Sequence, residues 1–450
     1  MTLEKRLLHW LPAQRWYAGG SRTLRSVEVE RRTELLGGDP AMSLLVLAVT
    51  HDGGSDKYQL LLGERSQLPQ RLAHVHIGSG DEVEWYDAAH DHDITPRLID
   101  LISRNADVDG LRFRSVPESG PLDPTLASLA LPHEQTNTSL IFGDESILKT
   151  FRRLVPGVNP DLEVTLALAN AGSAHVAEPL GWIEADVAGT GTTLALLQRF
   201  LRTGTDGWLL ATGSVRDLLA EADLHPDEVG GDFAAESERL GAATAAVHAD
   251  LARSLETMTA GPAEVTELAA TMRRRLAHAQ REVPSLATHA DRIDQVFRAL
   301  PGQVSSFPAQ RVHGDYHLGQ VMRTTDGWVL IDFEGEPEHP LADRVALMSP
   351  LKDVAGMLRS FDYAAHHLLV EQFDDEQHAY RAHEWSDRNT DAFCTGYAGE
   401  VGADPRDQRA LLTAFELDKA VYEVVYEARH RPSWLRIPMS AIEGIVEKAL

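Results

Sequence analysis

Cysteine is almost missing from this chain. Cys394 is the only one in 450 residues, so neither an intrachain disulfide nor a cysteine-based zinc site can form. Long apolar runs are missing as well, and none approaches the roughly 20 residues that cross a bilayer. The opening stretch, MTLEKRLLHWLPAQRWYAGG, has no basic segment followed by a long apolar core. A secretory leader is therefore not expected, and the cysteine usage fits a reducing cytoplasm. Basic residues are scarce: 42 Lys and Arg stand against 68 Asp and Glu, a net charge of −26. A field of that sign repels nucleic acid and anionic lipid. It does not bar a nucleotide, which a local lysine, backbone N–H groups and a divalent cation can hold. The acidity serves solubility, or it marks an acidic cleft for metal ions or a cationic substrate. No glycine-rich phosphate loop of the GxGxxG or GxxxxGK[ST] kind occurs, and no period of 20–50 residues repeats.

What remains is an ordinary globular composition, 43% hydrophobic and 24% charged. The length favours two or three units. The first ninety residues read as a small α/β or β-rich unit, with apolar runs at 43–50 and 57–62 around the turn-forming HDGGSD. Residues 95–105 have helical spacing, with Pro96 in the first turn. Strand-like runs follow at 138–142 and 146–151. Asn159 and Pro160 then open a helix, and further strands are expected at 180–184 and 193–200. Beyond Gly207 helical spacing dominates, at 233–251, 263–283, 366–373 and 407–430. One β interruption is expected at 310–333, turning at 325–327. A small β-rich lobe followed by a large α-rich lobe is the expected form.

The most informative segment is RVHGDYHLGQ, residues 311–320, followed eleven residues after Gln320 by IDFEGE, residues 331–336. Phosphoryl transfer to an alcohol needs a carboxylate near the acceptor hydroxyl and oxygen ligands for magnesium on the nucleotide phosphates. Asp315 can be the first. Gln320 and Asp332 can be the second, offering a carbonyl oxygen and a carboxylate to a hard cation. A lone Asp after Gly is ordinarily a turn residue, and a lone His in an apolar run is ordinarily core. The two motifs at this spacing are far more specific than either half.

This pair of motifs resembles those of the aminoglycoside-phosphotransferase-like kinases, relatives of the eukaryotic protein kinases, and most closely the actinobacterial maltokinases. The resemblance runs almost end to end, through WLPAQRWYAG, EQTNTS, ILKTFRR, NPDLE, DVAGMLRSFDYAA and ELDKAVYEVVYEARHRP. It implies an α+β, bilobal protein-kinase-like fold with an extra N-terminal cap. Residues 1–90 would be the cap, 91–200 the nucleotide-binding β-rich lobe, and 201–450 the α-rich catalytic and acceptor-binding lobe. It implies ATP and Mg2+, with Asp315 orienting the acceptor hydroxyl and taking its proton. Gln320, Asp332 and Glu334 would ligate the metal. Lys149 would meet the nucleotide phosphates and Glu163 would be its helix partner. Without the resemblance, Lys149 reads as a strand-edge charge and Glu163 as an exposed helix-start charge. Gln135, Thr136, Asn137, Thr138 and Ser139 stand where a phosphate-covering loop is expected; as plain chemistry they are a polar turn. The adenine is expected near Gln198, Phe200 and Leu201.

On the acceptor side, His317 of the first motif is expected beside the sugar. Tyr422 and Tyr426 lie four apart, as do Glu423 and Glu427, so each pair shares a helix face. Rings stack on sugars and carboxylates accept sugar hydroxyls; the alternative is an amphipathic closing helix with core tyrosines. Lys419 can pair with Glu423, Trp434 follows, and Glu416 and Asp418 are further carboxylates. Trp10, Trp16 and Tyr17 are expected to anchor the cap's core. Two departures from the maltokinase pattern bear on the sugar. Tyr316 replaces a common Leu, and 347–353, LMSPLKD, lacks a common Asp. Glucosamine kinases are close relatives, and an acidic lobe suits an ammonium. Glucosamine, giving glucosamine 6-phosphate, is the favoured acceptor, with maltose, giving maltose 1-phosphate, as the alternative. An aminoglycoside-modifying kinase and an inactive kinase-like binding protein are remote ones. The partner is a small-molecule sugar, with no nucleic acid or membrane, and a monomer is expected.

Overall fold

The computed structural model describes every residue except Met1, Ser21, 132–135, Ala222, 337–338 and 372–375. The chain divides into two compact units: Met1–Leu166 with Ala177–Arg202, and Ala167–Val176 with Thr203–Leu450.

The first unit holds two antiparallel sheets. One runs in the order Leu24–Leu36, Ala41–His51, Gly54–Arg65, Glu84–Asp87, His76–Ser79. Its central hairpin turns at the expected HDGGSD, where Gly53 and Gly54 take φ of +115° and +142°. The central strands are buried on both faces. Leu45, Leu47, Leu60 and Leu62 pack with Leu3, Leu7 and Trp16, while Trp10 and Tyr17 line the edge of that cluster. Leu44, Val46 and Leu61 join a second core that contains helix Pro96–Ser103 and the other sheet. That sheet has the order Asp107–Val108, Leu111–Ser115, Pro179–Val187, Thr190–Arg199, Ser146–Thr150, Thr138–Phe142, Ser128–Ala130. The four strands expected between 138 and 200 are all present in it. Helix Pro160–Asn170 opens as its sequence indicates: Asn159 Oδ1 accepts from the Asp161 N–H at 2.8 Å.

The second unit is mostly helix. Helices Ala234–Ser254 and Glu376–Val401 approach so closely that a Cβ on Gly396 would lie 1.8 Å from the Glu238 carbonyl oxygen. Glycine is what permits that crossing. The helix expected at 366–373 is only the tail of Leu351–Glu371, and Phe373 lies outside the described residues. The β interruption expected over 310–333 is shorter than its apolar pattern suggests. Gln310 ends a strand, Phe307–Gln310, that pairs with Thr257–Ala260. Only Val321–Arg323 and Trp328–Leu330 form the hairpin. The stretch between is a loop because its amides find side chains instead of a neighbouring strand: the His313 and Gly314 N–H groups donate to Asp353, and that of Leu318 to Ser360 Oγ. No helix of the described residues is long and apolar enough to cross a membrane.

Helix Arg409–His430 carries Glu416 on the side lined by Leu358, Leu412 and Ile437. Burial pushes its carboxyl up to about 7, against the pull of Arg359 and Lys448. A raised acid favours the fold below its unfolded value near 4.5, and that contribution is lost as pH rises through 7. Glu416→Gln is therefore expected to leave the melting temperature unchanged at pH 4 and to raise it at pH 8, by the equivalent of up to roughly 3 kcal/mol. Thermal melts of both proteins across that range check it; a variant no more stable than the parent at pH 8 contradicts it.

Candidate active site

In the first unit, Lys149 lies on strand Ser146–Thr150, opposite Ser139 on one side and Leu196 on the other. Its ammonium donates to Asp161 Oδ2 at 3.1 Å, in the first turn of helix Pro160–Asn170. Asp161 is 1% exposed, and Glu163 stands half-buried two residues on. Sequence alone points to Glu163 and is silent on Asp161, since both are acidic residues of one first turn and nothing local separates them. Of the polar segment expected over the phosphates, Gln135 lies outside the described residues. Thr136 is exposed and Asn137 half-buried. Thr138 and Ser139 are buried in strand Thr138–Phe142, and the Thr138 hydroxyl accepts from Arg152 Nε at 2.8 Å. At the expected adenine edge, the Phe200 N–H donates to the Glu145 carbonyl and its own carbonyl accepts from Arg202. Gln198 is the ladder partner of Ile147, and Leu201 follows the strand's end.

In the second unit, the loop after Gln310 is fixed from beneath by Asp353. Its two oxygens take the His313 N–H at 2.7 Å, the Gly314 N–H at 2.9 Å and His248 Nε2 at 3.0 Å. His248 Nδ1 meets the Tyr397 hydroxyl at 3.0 Å. Burial raises the Asp353 carboxyl, but His248, the field of the His313 imidazole and the Gly314 amide outweigh it and the group titrates below its ordinary range. The loop lies directly on the helix that carries Asp353: a Cβ on Gly356 would meet the Tyr316 carbonyl oxygen at 2.5 Å. The Tyr316 side chain points into the core, its hydroxyl 2.7 Å from Thr244 Oγ1. The His313 ring packs between Tyr316 and Phe333 and bonds the Ile331 carbonyl at 2.8 Å, which ties the two motifs together. Gln320 Nε2 then stands 3.3 Å from Asp332 Oδ2. Asp332 holds φ at +66°, a left-handed conformation uncommon outside glycine, so its backbone is bent by the surrounding structure. Gln320, Asp332 and Glu334 supply hard oxygen donors, a set suited to Mg2+.

Asp315, next in the loop, accepts from Lys419 Nζ at 3.1 Å, and the same ammonium reaches Glu336 Oε1 at 2.9 Å. Burial opposes ionisation of Asp315, yet the field of Lys419 outweighs it and holds the carboxyl well below its usual range. Lys419 is correspondingly raised well above its own. His317 is pushed down by burial, and its Nδ1 accepts from the Gly319 N–H at 3.0 Å.

Lys419 opens onto a cavity of about 390 Å³ walled by Glu336, Arg275, Asp418, Tyr422 and Tyr426. The tyrosine rings are 6.3 Å apart and stacked. Arg275 Nη1 meets Asp418 Oδ2 at 2.5 Å, and Asp418 Oδ1 is buried with no hydrogen-bond partner among the described residues. Three expectations for this helix and the turn after it change. Lys419 pairs with Asp315 and Glu336, whereas Glu423 is taken by Arg359 at 2.8 and 3.0 Å. Glu427 is 1% exposed and bonded to Arg431. Trp434 packs with Tyr363, His367 and Arg431 and does not line the cavity. The carboxylate pair shares a face, as its spacing requires, but each Glu follows its Tyr by one residue and is turned about 100° away from it. The expectation of an acidic pocket also changes, since Arg274, Arg275, Lys352, Lys419 and Arg429 line the same space. Glu336, Asp353 and Arg359 were passed over, because only the fold brings them to this loop and helix.

Two family models match the chain. One, for the maltokinase N-terminal cap domain, covers residues 10–91; the other, for the phosphotransferase enzyme family, covers residues 129–388, more than half of the chain. The chain belongs to the phosphotransferase enzyme family. This phosphotransferase is 30% identical over 329 residues to a glucosamine kinase of Streptacidiphilus jiangxiensis, covering 70% of this chain and 73% of the relative. It is 27% identical over 331 residues to a glucosamine kinase of Mycolicibacterium smegmatis, covering 70% and 78%. A solved glucosamine kinase in complex with glucosamine, ADP and inorganic phosphate superposes with a TM-score of 0.69, at 23% identity and 93% coverage of both chains. At that identity the likeness speaks for the fold, a kinase-like α+β architecture with an N-terminal cap.

Replacing Asp353 by Asn in this phosphotransferase removes the charge that gathers two amides and an imidazole. The variant is expected to lose about 3 kcal/mol of stability by chemical denaturation and to show a lower kcat, with the nucleotide KM little changed. A variant as stable as the parent contradicts the anchoring role of Asp353.

Proposed function

We propose that this enzyme transfers the γ-phosphate of ATP to the 6-hydroxyl of glucosamine, giving glucosamine 6-phosphate and ADP. The observation that carries the choice of acceptor is the 30% identity to a curated glucosamine kinase over most of both chains. In this reading the acceptor hydroxyl approaches Asp315. Lys419 keeps that carboxylate ionised, so it accepts the hydroxyl's hydrogen bond and takes the proton as the new O–P bond forms and the bond to the ADP oxygen breaks. His317 stands two residues from Asp315, beside the acceptor. Asp418, whose Oδ1 has no partner among the described residues, is the carboxylate available to an ammonium, and Tyr422 and Tyr426 offer ring faces to the sugar. On the nucleotide side, Lys149, positioned by the Asp161 carboxylate with Glu163 close by, meets the phosphates; Thr136 and Asn137 flank them. The adenine lies by Gln198–Leu201. Gln320, Asp332 and Glu334 are the residues that hold Mg2+, which when bound balances phosphate charge. Residues 1–90 act as a cap, 91–200 as the nucleotide lobe and 201–450 as the catalytic and acceptor lobe.

The cap match at residues 10–91 favours a second reading, maltose as acceptor. ADP release with ATP and Mg2+ against glucosamine, maltose, glucose, N-acetylglucosamine and kanamycin separates the two. Turnover with glucosamine is expected; turnover with maltose alone sinks the first reading. With the accepted sugar, Asp315→Asn is expected to lower kcat by about 10²–10⁴ while the protein stays folded. A folded variant with parental kcat excludes Asp315 as the acceptor's partner.

A further inference from the structure

We propose that Asp87, in the cap, is a positioning residue for nucleotide binding. Acting through Arg152, it fixes the strand pair that presents Lys149 and the Thr136–Asn137 pair before Thr138. The inference rests on the reading of Lys149 as a phosphate contact.

Arg152 is 1% exposed, and a guanidinium does not give up its charge, so its environment must answer that charge completely. Nη2 donates to Asp87 Oδ2 at 2.6 Å and Nε to Thr138 Oγ1 at 2.8 Å, and the guanidinium lies 4.8 Å from the centre of the Trp16 ring. Asp87 is 2% exposed, and its other oxygen accepts from the Ala89 N–H. Asp87 and Trp16 belong to the segment matched by the cap model; Arg152 and Thr138 belong to the segment matched by the phosphotransferase model. The rigid fork of one arginine thus joins the end of strand Glu84–Asp87 to the start of strand Thr138–Phe142.

The backbone repeats the same connection. Gln59, 3% exposed on strand Gly54–Arg65, bonds to this link twice over: its N–H donates to the Arg152 carbonyl at 2.8 Å, and its Nε2 donates to the carbonyls of Phe151, at 2.9 Å, and Leu194. Arg153 and Leu154 then leave the second sheet to pair with Tyr58 and Lys57 of the first. Lys149, on strand Ser146–Thr150, is three residues before Arg152, which follows the strand's end, and Thr150 Oγ1 bonds the Thr138 carbonyl at 2.7 Å. An apolar plug of the same volume would hold two sheets together as well as a buried ion pair does. What the plug lacks is direction: Asp87 and Arg152 together set the rotation of Thr138 and the path of the chain on from Lys149.

The test measures Mg-ADP affinity by calorimetry, with melting temperature alongside, for Asp87→Asn, for the paired apolar exchange Asp87→Leu with Arg152→Met, and for Lys149→Met. Asp87→Asn is expected to weaken Mg-ADP binding by about tenfold. The apolar pair is expected to recover the parental melting temperature while binding stays weakened. Recovery of both by the apolar pair, or parental affinity in Asp87→Asn, overturns the proposal and leaves the contact a structural joint. Should Asp87→Asn not fold, the apolar pair alone decides. Parental affinity in Lys149→Met instead sinks the nucleotide-site reading on which the proposal stands.

Discussion

The loop over residues 311–320 depends on one buried carboxylate. Asp353 takes two consecutive loop amides and an imidazole, and so replaces the neighbouring strand that an extended segment would otherwise need. Without that anchor the His313 and Gly314 amides would be buried with no acceptor, at a cost of about 1–3 kcal/mol each. Everything downstream follows from the loop's path: His313 can reach the Ile331 carbonyl, Gln320 can stand beside Asp332, and Asp315 is left facing Lys419. Gly356 belongs to the same device, because only a missing side chain lets the helix lie against the Tyr316 carbonyl.

Lys419 gives the site its electrostatic character. One ammonium is shared by two carboxylates, so the charges form a chain from Asp315 to Glu336. Each carboxylate is buried enough to resist ionisation, and each is held ionised by the same cation. Farther along the helix, Glu423 and Glu427 are taken by Arg359 and Arg431, and neither lines the cavity, whereas Tyr422 and Tyr426 do. The acidity of the whole chain therefore says little about this cavity, where arginines and lysines outnumber carboxylates.

Much of the fold was legible in the sequence. Turn chemistry at HDGGSD, the Asn159-Pro160 helix start and the alternating runs between 138 and 200 each act over a few residues, and each element formed where its pattern stood. The 310–333 region was read as more β than it is, because apolar content cannot distinguish a strand from a loop whose amides bond to side chains. Among the charged residues, Asp161 was hidden beside Glu163, and Lys419 was assigned to Glu423 because helical spacing describes neighbours on one helix and is silent about those on others.

By itself, the sequence determined the family-bearing motifs, the order of β-rich and α-rich parts, and the candidacy of Asp315, Gln320 and Asp332, since these depend on residue type and short spacing. Tertiary structure decided the partners. That Lys149 meets Asp161, that Lys419 bridges Asp315 and Glu336, and that Arg152 joins Asp87 to Thr138 were settled by contacts across 12, 104, 83, 65 and 14 positions. The longest of these follow only from how whole helices and sheets pack. A side chain's charge is written in the sequence, but the field it experiences is set by the groups that packing brings within a few ångströms.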